Sequence, residues 1–127
     1  MSLLVDTHVF VWWVTDDANL TAAHRRWIEQ RDEPVFVSAV TGWEIAIKVK
    51  INKWPEAAAL LPDLRALVRR SGLQSLDISL AQAERAGCLD LFHRDPFDRL
   101  LAAQALDLSI PVATIDPVFA RFGCQVI

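Results

Sequence analysis

The chain has 127 residues, of which 53% are apolar and 23% are charged, and its formal net charge at pH 7 is −3. This size suits one domain, residues 1–127, and the composition excludes a disordered or low-complexity chain. The longest apolar run in the first third, from Val9 to Val14, has six residues, whereas a membrane span needs about 20. The amino end reaches Asp6 too soon for a secretory signal, so we expect a cytoplasmic protein.

Short apolar runs rich in β-branched residues alternate with segments of helical periodicity. In chain order, the predicted elements are a strand at 3–5, a helix at 21–31, a strand at 35–37, a helix at 41–49, two leucine-rich helices that Pro62 divides and Gly72 ends, a strand at 73–78, a helix at 79–85, a helix at 96–108 and a strand at 110–115. Ser79 and Gln82 form a capping-box pattern, and Gly87 is expected to follow that helix.

Strands that alternate with helices require crossover connections, which are typical of parallel sheets. The predicted fold class is therefore α/β, with a mainly parallel central sheet of four to five strands flanked by helices. The two cysteines, Cys88 and Cys124, lack the spacing and the neighbouring histidines of a zinc site. We expect both to be buried free thiols.

Two of the predicted strands end in an aspartate, Asp6 and Asp116. A single aspartate in this position is commonly a turn former or a helix N-cap. A pair is more informative, because parallel strands bring their carboxyl ends to the same edge of a sheet, where ligands bind. We therefore expect these two carboxylates to converge.

Two further acidic residues lie near the beginnings of helices, Glu44 and Asp98. Glu44 has a structural alternative as the closing residue of a capping box on Thr41, and Asp98 as a partner of the helix dipole. If all four carboxylates share one edge, their repulsion requires a cation. An all-oxygen cluster suits Mg²⁺ or Mn²⁺, and such a metal supports phosphodiester hydrolysis.

Other polar residues have both a functional and a structural interpretation. Ser38 and Thr114 lie beside the predicted acidic residues and either orient them or cap a turn. His8 either binds a phosphate or a partner, or simply packs at the start of a helix. A basic stretch supplies possible RNA contacts or only a solvated helix face; its candidates are Lys48, Lys50, Lys53, Arg69 and Arg70.

Four segments, in this order, resemble the PIN-domain ribonucleases, and most closely the VapC-type toxins of bacterial type II toxin–antitoxin pairs. The segments are Leu4-Val5-Asp6-Thr7-His8, Val37-Ser38-Ala39-Val40-Thr41-Gly42-Trp43-Glu44-Ile45-Ala46-Ile47-Lys48, His93-Arg94-Asp95-Pro96-Phe97-Asp98-Arg99-Leu100-Leu101-Ala102-Ala103-Gln104-Ala105 and Thr114-Ile115-Asp116-Pro117. The resemblance covers essentially the whole chain. The sequence departs from many relatives at Asn52, where they have glycine in a turn.

The resemblance implies a Mg²⁺-dependent endoribonuclease that leaves 3′-hydroxyl and 5′-phosphate ends. Its acidic pocket maps onto Asp6, Glu44, Asp98 and Asp116. It also implies a homodimer and inhibition by a cognate VapB-like antitoxin. The antitoxin is expected to insert a basic residue among the carboxylates and to pack on exposed tryptophans, for which the candidates are Trp12, Trp13 and Trp54.

Asp95 lies close to the third acidic position, which leaves Asp95 and Asp98 as alternatives. Pro96 favours the first helical position and so makes Asp95 the N-cap, which leaves the Asp98 carboxylate free. Two other functions remain open: a catalytically idle PIN-like module that binds RNA or protein, and a phosphate-accepting signalling domain. The sequence has no glycine-rich phosphate loop and no G-x-S-x-G motif, so nucleotide cofactors and acyl transfer are not indicated.

Overall fold

The computed structural model describes residues 2–127; Met1, the first residue of the predicted domain, lies outside them. The strands are β1 (Leu3–Val5), β2 (Val35–Ser38), β3 (Gln74–Leu76) and β4 (Val112–Ala113). They form a four-stranded sheet in the order β3-β2-β1-β4, and every pair of neighbours is parallel. The predicted α/β fold with a parallel central sheet is confirmed.

The helices flank this sheet. In chain order they are α1 (Thr7–Val14), α2 (Ala22–Glu29), α3 (Ala39–Lys50), a 3-10 helix (Pro55–Leu60), α4 (Leu64–Arg70), α5 (Leu80–Cys88), α6 (Pro96–Leu108) and α7 (Val118–Arg121). Leu3 and Val5 pack into one apolar cluster and Leu4 into a second. Because successive side chains of a strand point to opposite faces, the two clusters cover both faces of the sheet.

The start of α3 and the end of α5 differ from the predicted boundaries. α3 begins two residues earlier than expected, because the Ser38 hydroxyl accepts the Val40 N–H at 3.0 Å and so caps the helix. The predicted capping box of Ser79 and Gln82 is confirmed, but α5 continues through Gly87 to Cys88. Gly87 therefore does not end the helix.

The leucine-rich segment is divided at Pro62 as predicted, but its first half is a 3-10 helix. Gly72, just beyond α4, has φ of 77°, a left-handed conformation that glycine adopts without strain. Asn52 also has a positive φ, 59°, a conformation that asparagine tolerates and that glycine adopts without strain. β3 and β4 are shorter than the predicted strands, and the four-residue α7 was not predicted.

Both cysteines are free, as expected, but only Cys124 is buried. Burial raises the pKa of the Cys124 thiol to about 11. The prediction that Cys88 is buried is wrong, because the last turn of α5 leaves it exposed. Within residues 2–127, no helix is both long enough and apolar enough to cross a bilayer.

Candidate active site

A cavity of about 430 Å³ opens at the carboxyl edge of the sheet. All four predicted acidic residues line it, and Asp95 contributes a fifth carboxylate. They come from separate parts of the fold: Asp6 follows β1, Glu44 lies in α3, Asp98 in α6, and Asp116 follows β4. The topology thus brings together residues that are up to 110 positions apart in the chain.

Asp6 and Asp116 are joined through the hydroxyl of Thr114. Asp6 is the N-cap of α1, where its Oδ1 accepts the Val9 N–H at 2.8 Å. Its Oδ2 accepts the hydroxyl proton of Thr114, whose Oγ1 accepts the Asp116 N–H at 2.9 Å. One buried hydroxyl therefore sets the relative position of the two strand-end aspartates.

Burial is the main influence on the pKa of Asp6, which is only 6% exposed. Burial raises the pKa of this carboxyl above its usual value of 3.8, and the negative charge of Glu44 adds to the increase. Hydrogen bonds from Thr114 and from the Val9 N–H favour the ionised form and partly offset the increase. The ionised Asp6 therefore depends on donors that the fold supplies.

Glu44 forms an ion pair with Lys48, one helical turn later on α3. The Lys48 Nζ also lies 5.8 Å from the ring centroid of Trp54. Glu44 does not close a capping box on Thr41, because Thr41 lies inside α3 and its hydroxyl is 3.0 Å from that of Thr7. The alternative structural interpretation of Glu44 is therefore wrong.

The two acidic residues at the start of α6 have different surroundings. Asp95 is the N-cap: its Oδ1 accepts the Phe97 N–H at 2.8 Å and the Asp98 N–H at 3.2 Å. The Asp98 carboxylate faces the cavity and lies 2.9 Å from His93 Nε2. Burial raises the pKa of Asp98 to about 6, and His93 opposes this while Asp95 and Asp116 add to it.

These side chains match the oxygen-donor chemistry of Mg²⁺ or Mn²⁺. Within the described part of the chain, no three acidic, histidine or cysteine side chains are close enough to form a ready-made metal site. Mg²⁺ does not require one, because it commonly binds one or two carboxylates and completes its shell with water. The Asp6 carboxylate, which accepts from Thr114, and the Asp116 carboxylate, which accepts the Val118 N–H at 2.9 Å, fit that requirement.

Several predicted residues lie outside this cavity. The Ser38 hydroxyl donates to Gln104 Oε1 rather than to a carboxylate. Of the five basic candidates, only Lys48 lines the cavity. Arg69 and Arg70 are the last two residues of α4. The turn that follows α4 lies next to the start of β2, and together they line a second, separate cavity. They therefore lie at the amino edge of the parallel sheet, opposite the acidic cavity.

The tryptophans expected to be exposed are not the most exposed ones. Trp54 is only 8% exposed, and Trp12 and Trp13 are half-buried. Trp27 and Trp43 are 45% and 49% exposed. The prediction that Trp54 offers an exposed surface is therefore wrong, because the ring packs in the larger core cluster.

Arg99, which sequence reasoning missed, fixes the loop that presents His93. Its guanidinium donates to five backbone carbonyls in the last turn of α5 and in the loop that leads to α6, at distances of 2.7–3.3 Å. These acceptors are Ala86, Gly87, Leu89, Leu91 and His93. They include carbonyls at the end of α5, which lack partners within the helix. No local sequence pattern reveals this role, because an arginine in the first turn of a helix is ordinarily solvated.

Arg99→Met should therefore destabilise the fold by about 1–3 kcal/mol, the cost of leaving several partly buried carbonyls without donors. Arg94→Met is the matched control, because Arg94 is exposed and lies near the exposed ring of Phe92. Urea unfolding of both variants measures the difference. Equal stability of the two variants would contradict a clamping role for Arg99.

Comparisons with known proteins agree with this architecture. The family model of the PIN domain matches residues 3–123. Ribonuclease VapC22 of Mycobacterium tuberculosis is 29% identical over 116 residues, covering 91% of this chain and 87% of the relative. Two solved structures share the fold. VapC20 of Mycobacterium tuberculosis, a sarcin–ricin loop cleaving toxin, aligns with a TM-score of 0.66 and 19% identity, covering 96% of this chain and 95% of that one. A toxin–antitoxin complex from Klebsiella pneumoniae aligns with a TM-score of 0.64 and 16% identity, covering 98% of this chain and 95% of that one. With a family model that matches nearly its whole length, the chain belongs to the PIN-domain family.

Proposed function

We propose that this PIN-domain protein is a metal-dependent endoribonuclease that acts in the cytoplasm as the toxin of a toxin–antitoxin pair. The observation that carries the proposal is the cavity in which carboxylates from four elements meet. The similarity to a ribonuclease over 91% of the chain supports the reaction. The similarity in fold to a sarcin–ricin loop cleaving toxin agrees with an RNA substrate.

The proposed catalytic and metal-binding residues are Asp6, Glu44, Asp98 and Asp116. In this proposal Asp6 and Asp116 hold the principal Mg²⁺ or Mn²⁺, and Glu44 and Asp98 complete its shell or hold a second ion. When bound, the metal would stabilise negative charge on the phosphate and ease the deprotonation of water. Without it, the carboxylates would repel the RNA backbone.

The chain's own residues would prepare this site. Thr114 orients the Asp6 carboxylate and, through the backbone of Asp116, the end of β4. Lys48 offsets the charge of Glu44 in the cavity wall and is the cation nearest to an incoming phosphate. Lys50 and Lys53 are exposed beyond it and would attract the RNA backbone. Arg69 and Arg70 have no part in this proposal, because they lie at the other edge of the sheet.

The proposed protein partner is a VapB-like antitoxin, and the proposed assembly includes a homodimer of this chain. The similarity in fold to a toxin in a toxin–antitoxin complex supports the first of these. An antitoxin that inserts a basic side chain among the carboxylates would neutralise the charges that otherwise bind the metal. Inhibition would then follow from competition for the cavity.

Purified protein should cleave single-stranded RNA in Mg²⁺ and lose this activity in EDTA. Mg²⁺ should also raise the melting temperature, because an ion that binds only the folded state stabilises it by mass action. Asp6→Asn should remove both effects. Gel analysis of cleavage and thermal unfolding with and without Mg²⁺ provide the measurements.

The chief alternative is a catalytically idle PIN-like module that binds RNA or protein. Such a module would bind RNA without cutting it, and its binding would be insensitive to Asp6→Asn. RNA cleavage that survives EDTA would instead indicate a contaminating nuclease. Comparison of the wild-type protein with Asp6→Asn from the same purification separates these outcomes.

A further inference from the structure

Three rings pack together at one side of the acidic cavity, and we call His8, Trp12 and Trp54 the ring cluster. His8 and Trp12 lie one turn apart on α1, and both line the cavity. The centroid of the His8 ring lies 4.8 Å from that of Trp54, with 30° between the ring planes, and 5.7 Å from that of Trp12. These distances are typical of stacked and tilted aromatic pairs.

The ring cluster is buried at its base and open to solvent at its outer side. Trp54 is only 8% exposed, and its backbone N–H donates to the Lys48 carbonyl at 3.3 Å. His8, in contrast, is exposed, although it packs on that buried indole. The imidazole is therefore a supported flat surface that faces solvent at the mouth of the cavity.

The remainder of the cavity is suited to a phosphate group but offers little to a nucleobase. Its charged lining consists of five carboxylates and Lys48, which would handle a metal ion and the charge of the backbone. A nucleobase is an uncharged planar ring, and proteins bind unpaired bases chiefly by stacking them on aromatic side chains. Among the residues that line the cavity, His8 and Trp12 match that chemistry.

We propose that His8, supported by Trp54 and flanked by Trp12, stacks an unpaired base of the RNA next to the phosphate that enters the cavity. This inference rests on the proposed ribonuclease function and adds to it a subsite for one base beside the bound phosphate. Every base has an aromatic face, so the subsite is tolerant of sequence. It selects unpaired over paired RNA instead.

Two substitutions isolate the stacking surface. His8→Leu and His8→Phe both remove the ring nitrogens of the imidazole, with their capacity for charge and hydrogen bonding, and both keep an apolar side chain on Trp54. They differ in one property, since only phenylalanine retains an aromatic face. Phe92→Leu is the matched control, because Phe92 is 82% exposed and lies outside the cavity lining.

The substitutions are introduced into an Asp116→Asn background, which is expected to bind RNA without cutting it. Fluorescence anisotropy with a labelled single-stranded RNA in Mg²⁺ measures binding, and a ribose-phosphate oligomer of equal length without bases is the second probe. His8→Leu should weaken RNA binding roughly 5- to 140-fold, the range for loss of one stacked base. His8→Phe and Phe92→Leu should bind RNA as the background does, and all variants should bind the baseless oligomer equally.

Three results would overturn the proposal. Equal RNA binding by all variants would show that no base contacts the ring. Equal losses for His8→Leu and His8→Phe would assign the effect to the imidazole's charge or hydrogen bonds. A matching loss on the baseless oligomer would place the contact on the backbone. Because binding is measured separately from cleavage, a protein that cuts no RNA would refute the proposed function and leave the stacking measurement intact.

Discussion

Asp98→Asn should reduce RNA cleavage roughly 100-fold or more, the loss typical of removing a group that acts on the reacting atoms. The same substitution should make the metal-free protein more stable at pH 7. In the wild-type protein, His93 Nε2 lies 2.9 Å from the Asp98 carboxylate, and asparagine keeps a hydrogen-bonding side chain at that place. It removes one negative charge from a cavity that contains five carboxylates.

The gain in stability follows from the direction of the pKa change. Burial raises the pKa of Asp98 from 3.8 to about 6, so the folded state binds this proton more tightly than the unfolded chain does. Ionisation of Asp98 therefore opposes folding progressively from about pH 4 to pH 6 and fully above it. Since one pKa unit corresponds to about 1.4 kcal/mol, Asp98→Asn should raise the free energy of unfolding by about 1–3 kcal/mol at pH 7.

Asp95 provides the matched comparison, because it lies in the same cavity but caps α6. Asp95→Ala should cost about 0.5–2 kcal/mol of stability and leave appreciable cleavage. Asp95→Asn should restore the cap and hence most of that stability. Urea unfolding and cleavage assays, each with and without Mg²⁺, measure these effects. An inactive Asp95→Ala together with an active Asp98→Asn would reverse the proposed assignment.

The parts of the site that depend on local rules were predictable from the sequence. Asp6 and Asp116 follow short apolar runs, and parallel strands necessarily bring their ends to one edge. Pro96 fixed the start of α6 and thereby distinguished the cap Asp95 from the cavity-facing Asp98. Each inference needed only a few neighbouring residues and one geometric rule.

Contacts between distant elements were not predictable. The sequence left two interpretations of the Ser38 hydroxyl, orienting a carboxylate or capping. It caps α3, and it also donates to the buried Gln104 amide, 66 positions later, which no local pattern predicts. The same amide donates to Gln82 Oε1 at 3.1 Å and to the Asp77 carbonyl at 3.1 Å. Such a network depends on how α5 and α6 pack together, and no periodicity in the sequence encodes that.

Exposure of individual large side chains was the least predictable property. Trp43 lies within α3 and Trp54 just after it, but Trp54 packs in the core and Trp43 is half exposed. Cys88 and Cys124 differ in the same way. Composition determines how much apolar surface a chain can bury, whereas the turn that follows α3 determines which ring is buried.

Thr114→Val should make the activity more sensitive to acid, because it removes the hydroxyl that joins Asp6 to Asp116. The hydrogen bond from Thr114 favours the ionised form of Asp6, so its loss should raise the pKa of that buried carboxyl further. If the ionised form of Asp6 is the active one, the acidic limb of the pH–rate profile should move to higher pH. Cleavage at pH 7 should fall about 10- to 100-fold, as is typical when a partner of a metal ligand is lost.

Thr114→Ser retains the hydroxyl and should restore both the rate and the position of the acidic limb. Thr41→Val is the matched control, because Thr41 is also buried but its hydroxyl pairs with that of Thr7 rather than with a carboxylate. Both valine variants should lose about 1–3 kcal/mol of stability, since each leaves a buried polar group without its partner. Only Thr114→Val should move the pH–rate profile. A shift of equal size in Thr41→Val would assign the effect to general loosening of the fold, and no shift in either would remove Thr114 from the proposed site.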